Sequence, residues 1–273
     1  MTRVGIERGH RTRAKTVLGV DDMTQSVKDQ VSEQEWQTRV DLAACYRAVA
    51  MYGWDDLIFT HISARVPGPD HHFLINPYGM MFDEVTASSL VKVDLHGNKV
   101  MDSEYEVNPA GFTIHSAVHE AREDAKCVLH LHTAEGVAVS ILEAGLQPYS
   151  QQSLFPLASL SYHAYEGVAL NPDEKARLVR DLGNTQFMIL RNHGLLTCAD
   201  NIADAFLFMF ILQRACEIQL KAQATNQPLI PIHSAILDGI RAQAEQVTKG
   251  AGGALAWPGI KRRVARHFPG FDE

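Results

Sequence analysis

An α/β fold is predicted by the way helix-period and strand-period segments take turns along these 273 residues. Three observations carry it. A helical spacing of apolar residues runs from Glu33 to about Gly53, a series of short Val-, Ile- and Leu-rich runs follows, and turn signals separate most of them. The chain is 46% hydrophobic, which at this length supplies one large core. A main domain over residues 33–230 is expected. An arm over residues 1–32 precedes it, and a helical segment over 231–273 packs on the same domain.

In chain order, Trp36, Val40, Leu42, Ala43, Tyr46 and Val49 line one face of the first helix. Residues 57–66 then read as a strand, ended by Pro67-Gly68-Pro69-Asp70, and 72–76 as a second, closed by Pro77-Tyr78-Gly79. Residues 90–95 and 99–101 flank His96-Gly97-Asn98 as a hairpin. Asn108 before Pro109 opens a helix to about Glu123, because Asn caps free N–H groups and Pro suits the first helical position. Residues 127–132 form the next strand, and Thr133 caps a helix through Leu142. A strand over 158–165, a helix over 172–182, strands over 187–191 and 194–197, and a long helix over 201–224 follow. Beyond 232 come one or two weaker helices, including Ile260 to His267.

Composition excludes several function classes. A net charge of −7 lacks the basic footprint of a nucleic-acid binder. No apolar run approaches the roughly 18–20 residues that span a bilayer. The arginines of the first seventeen residues accompany no hydrophobic segment, so a polar arm is read there rather than a leader. Cys45, Cys127, Cys198 and Cys216 are scattered through apolar stretches without a CxxC pair, which points to buried thiols in a reducing, cytoplasmic setting.

The chemistry is carried by histidine. His130-Leu131-His132 lies in a strand, where side chains at i and i+2 leave from one face and converge. His193 follows Arg191-Asn192 at a tight turn, and Gly194 lets the backbone come close. Three neutral imidazoles suit Zn2+, with Fe2+ or Mn2+ as alternatives, and an open fourth position would make the metal catalytic. Strand histidines are also common as core or surface residues. Cys127, three positions from His130, falls on the opposite face. His115 and His119 form a competing i, i+4 pair, but the Glu of a His-Glu-x-x-His motif is missing between them. The plain account there is a core His115 bonded to a neighbour and a rim His119. His163, between Tyr162 and Tyr165, reads as packing or as a pocket residue.

Several stretches together resemble the class II aldolase/adducin family: residues 75–79, 84–91, 108–117, 127–133 and 190–195. The likeness covers roughly residues 35–225. It implies a three-layer α/β/α fold with a central, mostly antiparallel sheet, a tetramer with sites at subunit boundaries, and His130, His132 and His193 as ligands of a metal, usually zinc. It also exposes departures. The acidic residue that sugar-phosphate aldolases of the family carry early in the helix falls on Gly111. Their phosphate-holding segments fall on Thr60-His61-Ile62-Ser63-Ala64-Arg65, on Pro109-Ala110 and on Tyr78-Gly79. Phosphosugar cleavage is therefore not expected. These variant segments look most like the head domain of adducin, a cytoskeletal protein that uses this fold without catalysis.

The expected activity is metal-dependent carbon–carbon lyase chemistry, aldolase or decarboxylase in type, on a non-phosphorylated hydroxy- or keto-acid-like carbonyl compound. An adducin-like scaffold and a non-heme iron oxygenase on the same fold are the alternatives. Candidates for the missing acid–base group are Glu120, His119, Tyr162, His163 and a metal-bound hydroxide, with the hydroxide or a residue of an adjacent subunit preferred. Arg65, Asn76 and Asn108 are candidates for binding substrate, Arg65 through a bidentate carboxylate contact.

Overall fold

The computed structural model describes residues 26–167, 173–248 and 252–273. Most of the expected arm and Pro172 lie outside them. A short helix, α1 (Val27–Gln30), leads into α2 (Glu33–Met51), whose N-cap Ser32 accepts from the Glu35 N–H. Strands β1 (His61–Arg65), β2 (Phe73–Ile75) and β3 (Val91–Val93) precede α3 (Pro109–Ala121) and β4 (Cys127–Leu131). Then come α4 (Ala134–Ile141), α5 (Gln151–Leu157), β5 (Leu160–His163), α6 (Glu174–Leu182), β6 (Phe187–Leu190) and β7 (Gly194–Ala199). The described chain closes with α7 (Ile202–Ala224), α8 (Ser234–Thr248) and α9 (Gly252–His267).

The seven strands form one sheet in the order β3-β2-β1-β4-β7-β6-β5. Every neighbouring pair is antiparallel except β5 and β6. Strand alternation divides its residues cleanly between two faces. Ile62, Ala64, Leu74, Cys127, Leu129, Leu131, Phe187, Ile189 and Leu195 join the main core with α2, α4, α7 and α9. Val128, Met188, Leu190, Leu196 and Cys198 face the other way, against Ile114 and Val118 of α3 and Leu178 and Leu182 of α6. The expected three layers, with a mostly antiparallel sheet between helices, are what the chain adopts. Cys127 does leave the sheet opposite to His130.

Four local expectations need correction. The first strand is shorter than 57–66, because Leu57 takes a left-handed φ of 51° and residues 57–59 turn instead. The returning arm of the 90–101 hairpin is reduced to one bridge, Val93 to Lys99. The arm, where described, holds α1. Helix α5 was not expected: it is seven residues long, contains Pro156, and rests on a reciprocal cap between Ser150 and Ser153 rather than on periodicity.

The last residues return to the body. Arg47 bonds the carbonyls of Val85, Phe268 and Pro269, and the Ala87 and Ser88 N–H groups donate to the carbonyls of Phe271 and Glu273.

Candidate metal centre

His130 is the fourth residue of β4, fixed on both sides: β1 sets His61 opposite it, and β7 sets Leu196. His132 leaves the strand end just before Thr133, whose hydroxyl caps α4 by accepting from the Gly136 N–H. His193 comes from the turn between β6 and β7, closed by its N–H bonding the Leu190 carbonyl at 3.1 Å. Asn192 holds φ 56° in that turn, a conformation Asn tolerates. Gly194 lies so close to β4 that a Cβ there would stand 2.5 Å from the Leu131 carbonyl oxygen. The close approach expected of Gly194 is therefore present.

These elements bring the three imidazoles together. Ring centroids are 4.7 Å apart for His130–His193 and 4.8 Å for both His130–His132 and His132–His193. One nitrogen from each lies within 4.8 Å of the others. Hydrogen bonding then fixes which nitrogens are free. His130 Nδ1 is 3.0 Å from the Leu195 carbonyl oxygen, which can only accept, so that nitrogen carries the proton. His132 Nδ1 donates in the same way to Asp56 Oδ2 at 3.0 Å. Both Nε2 atoms are left as lone pairs, and they face each other at 3.0 Å. Opposed lone pairs at that distance repel unless a proton or a metal cation lies between them. Two ligands of a tetrahedral zinc, each about 2.05 Å from it, would be roughly 3.3 Å apart. The donor set fits a divalent metal, with Asp56 and the Leu195 carbonyl orienting its rings.

Burial and the facing histidines reinforce this. His130 is held well below the usual imidazole range by burial and by His193 and His132. Burial, then His132 and His163, brings His193 down to about 4. Both rings therefore stay neutral and able to bind metal at ordinary pH. His132 is partly exposed, as is His193, so solvent reaches the cluster from their side.

The other candidates lie as follows. Glu120 is exposed on α3. His119 is not a rim residue: it is 1% exposed, stacks on Phe73, and bonds Ser63 and the Ala125 carbonyl. Tyr162 accepts from the Leu146 N–H and lies under the Arg191 guanidinium. His163 is buried beneath α6 with Nδ1 2.8 Å from Asp181 and Nε2 3.6 Å from Glu174. Arg65 ends β1, four residues and so about 13 Å along the strand from His61. Its guanidinium meets Glu123, His71 and the His119 carbonyl. Asn76 is buried on the Tyr46 hydroxyl, and the Asn108 carbonyl accepts from Phe112 N–H in the first turn of α3.

Three residues beside the cluster escaped the sequence reading. Asp56 is 76 positions from the histidine it orients. His61, seen only as part of a changed phosphate segment, is buried opposite His130, and a Cβ on Gly111 would stand 2.3 Å from its ring. Tyr165, passed over as a neighbour of His163, is exposed with its ring 6.3 Å from that of His193. The polar alternation His61, Ser63, Arg65 was the one available signal among them.

Residues 40–220 match the model of the class II aldolase and adducin N-terminal domain. The chain belongs to the class II aldolase/adducin family. It is 63% identical over 260 residues to a provisionally assigned aldolase class 2 protein of Pseudomonas aeruginosa, covering 94% of this chain and 100% of that one. It is 43% identical to alpha-adducin of Mus musculus over 212 residues, 77% of this chain but only 29% of the adducin. Among solved structures, an aldolase II superfamily protein from Pseudomonas syringae superposes with a TM-score of 0.87 at 47% identity, covering 91% of this chain and 100% of that one. Class II aldolase/adducin membership and the histidine cluster thus agree in one molecule.

Proposed function

We propose that this protein is a metal-dependent carbon–carbon lyase, of aldolase or decarboxylase type, acting on a non-phosphorylated hydroxy- or keto-acid-like carbonyl compound. The observation that carries the reading is the pair of opposed Nε2 lone pairs on His130 and His132, with His193 completing the set. Zn2+ is the metal proposed, held by these three histidines, in a cytoplasmic homotetramer; no described helix is long and apolar enough to cross a membrane.

When bound, such a cation supplies Lewis-acid polarisation of a carbonyl or enolate oxygen, worth several kcal/mol to a transition state. The protein's own share is orientation and proton handling. Asp56 and the Leu195 carbonyl hold two rings in one tautomer. In a retro-aldol cleavage the carbinol proton passes to solvent on the exposed side of the cluster, and the carbon–carbon bond breaks to leave an aldehyde and an enolate. The α-carbon of the enolate then takes up a proton. Tyr165, an exposed phenol whose ring stands 6.3 Å from that of His193, is assigned that proton delivery. Gly111 brings no carboxylate, and the altered segments at 60–65 and 78–79 favour a substrate without phosphate.

A second reading, an adducin-like scaffold without catalysis, is favoured by the 43% identity to alpha-adducin. Metal analysis of untagged protein separates the two, together with a His130→Ala, His132→Ala double variant. One equivalent of zinc per chain, lost in the folded double variant, with pyruvate released from a panel of 4-hydroxy-2-oxo acids, is the expected result. Bound iron with oxygen uptake would favour an oxygenase instead. Protein that folds normally with no metal would overturn the lyase reading and leave the scaffold.

A further inference from the structure

Beneath α3 lies a second group of histidine nitrogens that the metal cluster does not use. Ser63 Oγ is 2.6 Å from His115 Nδ1 and 2.7 Å from His119 Nε2. His119 Nδ1 is 2.9 Å from the Ala125 carbonyl oxygen, which has no proton to give, so this nitrogen is the protonated one. Burial holds His119 down at about 3, so the ring is neutral and its Nε2 is a lone pair. That lone pair accepts the Ser63 hydroxyl proton. The serine oxygen, its single hydrogen committed, must accept from His115 Nδ1–H. His115 is thereby left with a bare lone pair on Nε2, buried and without a donor among the described residues.

His61 stands next to it, edge to face, with ring centroids 6.0 Å apart. It is 3% exposed, and neither of its ring nitrogens has a partner among the described residues. Three unmatched nitrogens on two adjacent buried rings demand an explanation, because an unsatisfied buried polar atom costs roughly 1–3 kcal/mol. The pair sits beside the metal cluster, since His61 is in register opposite His130. Gly111, with no side chain, leaves the His61 ring its place.

We propose that His61 and His115 form the inner end of the substrate site and bind one hydroxyl group, which donates to His115 Nε2 and accepts from an N–H of His61. The assignment rests on the lyase reading above for the presence of a substrate at His130. Hydrogen-bond direction sets the chemical class. An ionised carboxylate or phosphate oxygen has no proton for His115 Nε2 and is repelled by its lone pair, whereas an alcohol matches two of the three nitrogens, one on each ring. The substrate is then a hydroxylated carbonyl compound whose inner end is a free hydroxyl. A trapped water has the same O–H chemistry, and the experiment distinguishes the two sources.

The test uses the zinc-loaded full chain and two metal-directed probes, acetohydroxamate and its hydroxyl-bearing analogue glycolohydroxamate, titrated by calorimetry. Wild type should bind the hydroxylated probe at least tenfold more tightly. His61→Leu should abolish that preference while still binding acetohydroxamate. His61→Asn, nearly the same shape with a donor and an acceptor, should restore a preference of threefold or more. An equal preference in wild type and His61→Leu overturns the proposal. If wild type shows no preference, a crystal structure at high resolution decides. An oxygen against both rings assigns the site to a trapped water, and no oxygen there overturns it. Failure of the lyase reading is visible separately, as absent metal and absent acetohydroxamate binding in wild type, and it removes the substrate assignment without touching the hydrogen-bond direction that the crystal reads.

Discussion

The Asp56 carboxylate donates nothing to a metal, yet it decides which nitrogen of His132 can. By holding Nδ1–H at 3.0 Å it forces Nε2 toward His130. Asp56→Asn keeps the shape and weakens this hold, and the metal affinity should fall about tenfold, the lower end of the usual 10–100-fold range because Asp56 is half-exposed. Competition with a chromophoric chelator measures it, and an unchanged affinity would remove Asp56 from the centre. Residues of this kind are hard to read from a sequence. The His-x-His pair announces itself through strand alternation, and His193 through its turn. Asp56 and Tyr165 meet the cluster only after the chain has folded, and no spacing rule links them to it. His61 lay closer to view, since alternation puts it with Ser63 and Arg65 on one face, but its pairing with His130 needs the strand order.

Among the elements, the turn between β6 and β7 does the most for the site. Gly194→Ala would press a methyl against the Leu131 carbonyl oxygen, which is backbone and cannot swing aside. A cost of about 1–3 kcal/mol is expected, read from the urea midpoint, together with reduced metal content because His193 must move with the turn. Full stability with full metal content would show that the turn has slack. The β6–β7 turn was legible, as were α2, α7 and β4 from their apolar runs and α3 from Asn108 and Pro109. Helix α5 was not, because a seven-residue segment holding Pro156 has too few turns to display a period. The true start of β1 was hidden too: Ile58 and Phe59 are β-formers by type, but Leu57 and Phe59 are exposed, and the chain turns there.

For the molecule as a whole, the layer between the sheet and α3 is an acid-sensitive one. Burial brings His61 down to about 4 and His119 to about 3, and pushes His115 well below its usual range. In the unfolded chain all three titrate near 6.5. Below that pH the unfolded chain binds protons that the folded one refuses, so stability falls as pH drops through 6.5 and continues to fall until the folded rings titrate, His61 at about 4 and His119 at about 3. Each ring contributes a slope of up to about 1.4 kcal/mol per pH unit, so these three contribute up to about 4, and His130 and His193 add to it when no metal is bound. Urea midpoints of metal-free protein between pH 7 and pH 5 should therefore decline steeply, and a flat profile would mean that these rings are not buried as described. The layering was legible through the family resemblance, and strand alternation then assigns each residue a side. That same alternation has a consequence for folding. Slipping β4 by one residue against its neighbours would turn Leu129 and Leu131 toward α3 and send His130 into the apolar layer. A mispaired chain could remain compact and helical, yet it would have no ligand cluster. If the cluster holds metal as proposed, metal uptake would report strand register, and folded protein that stays substoichiometric after incubation with excess zinc would contain misregistered chains.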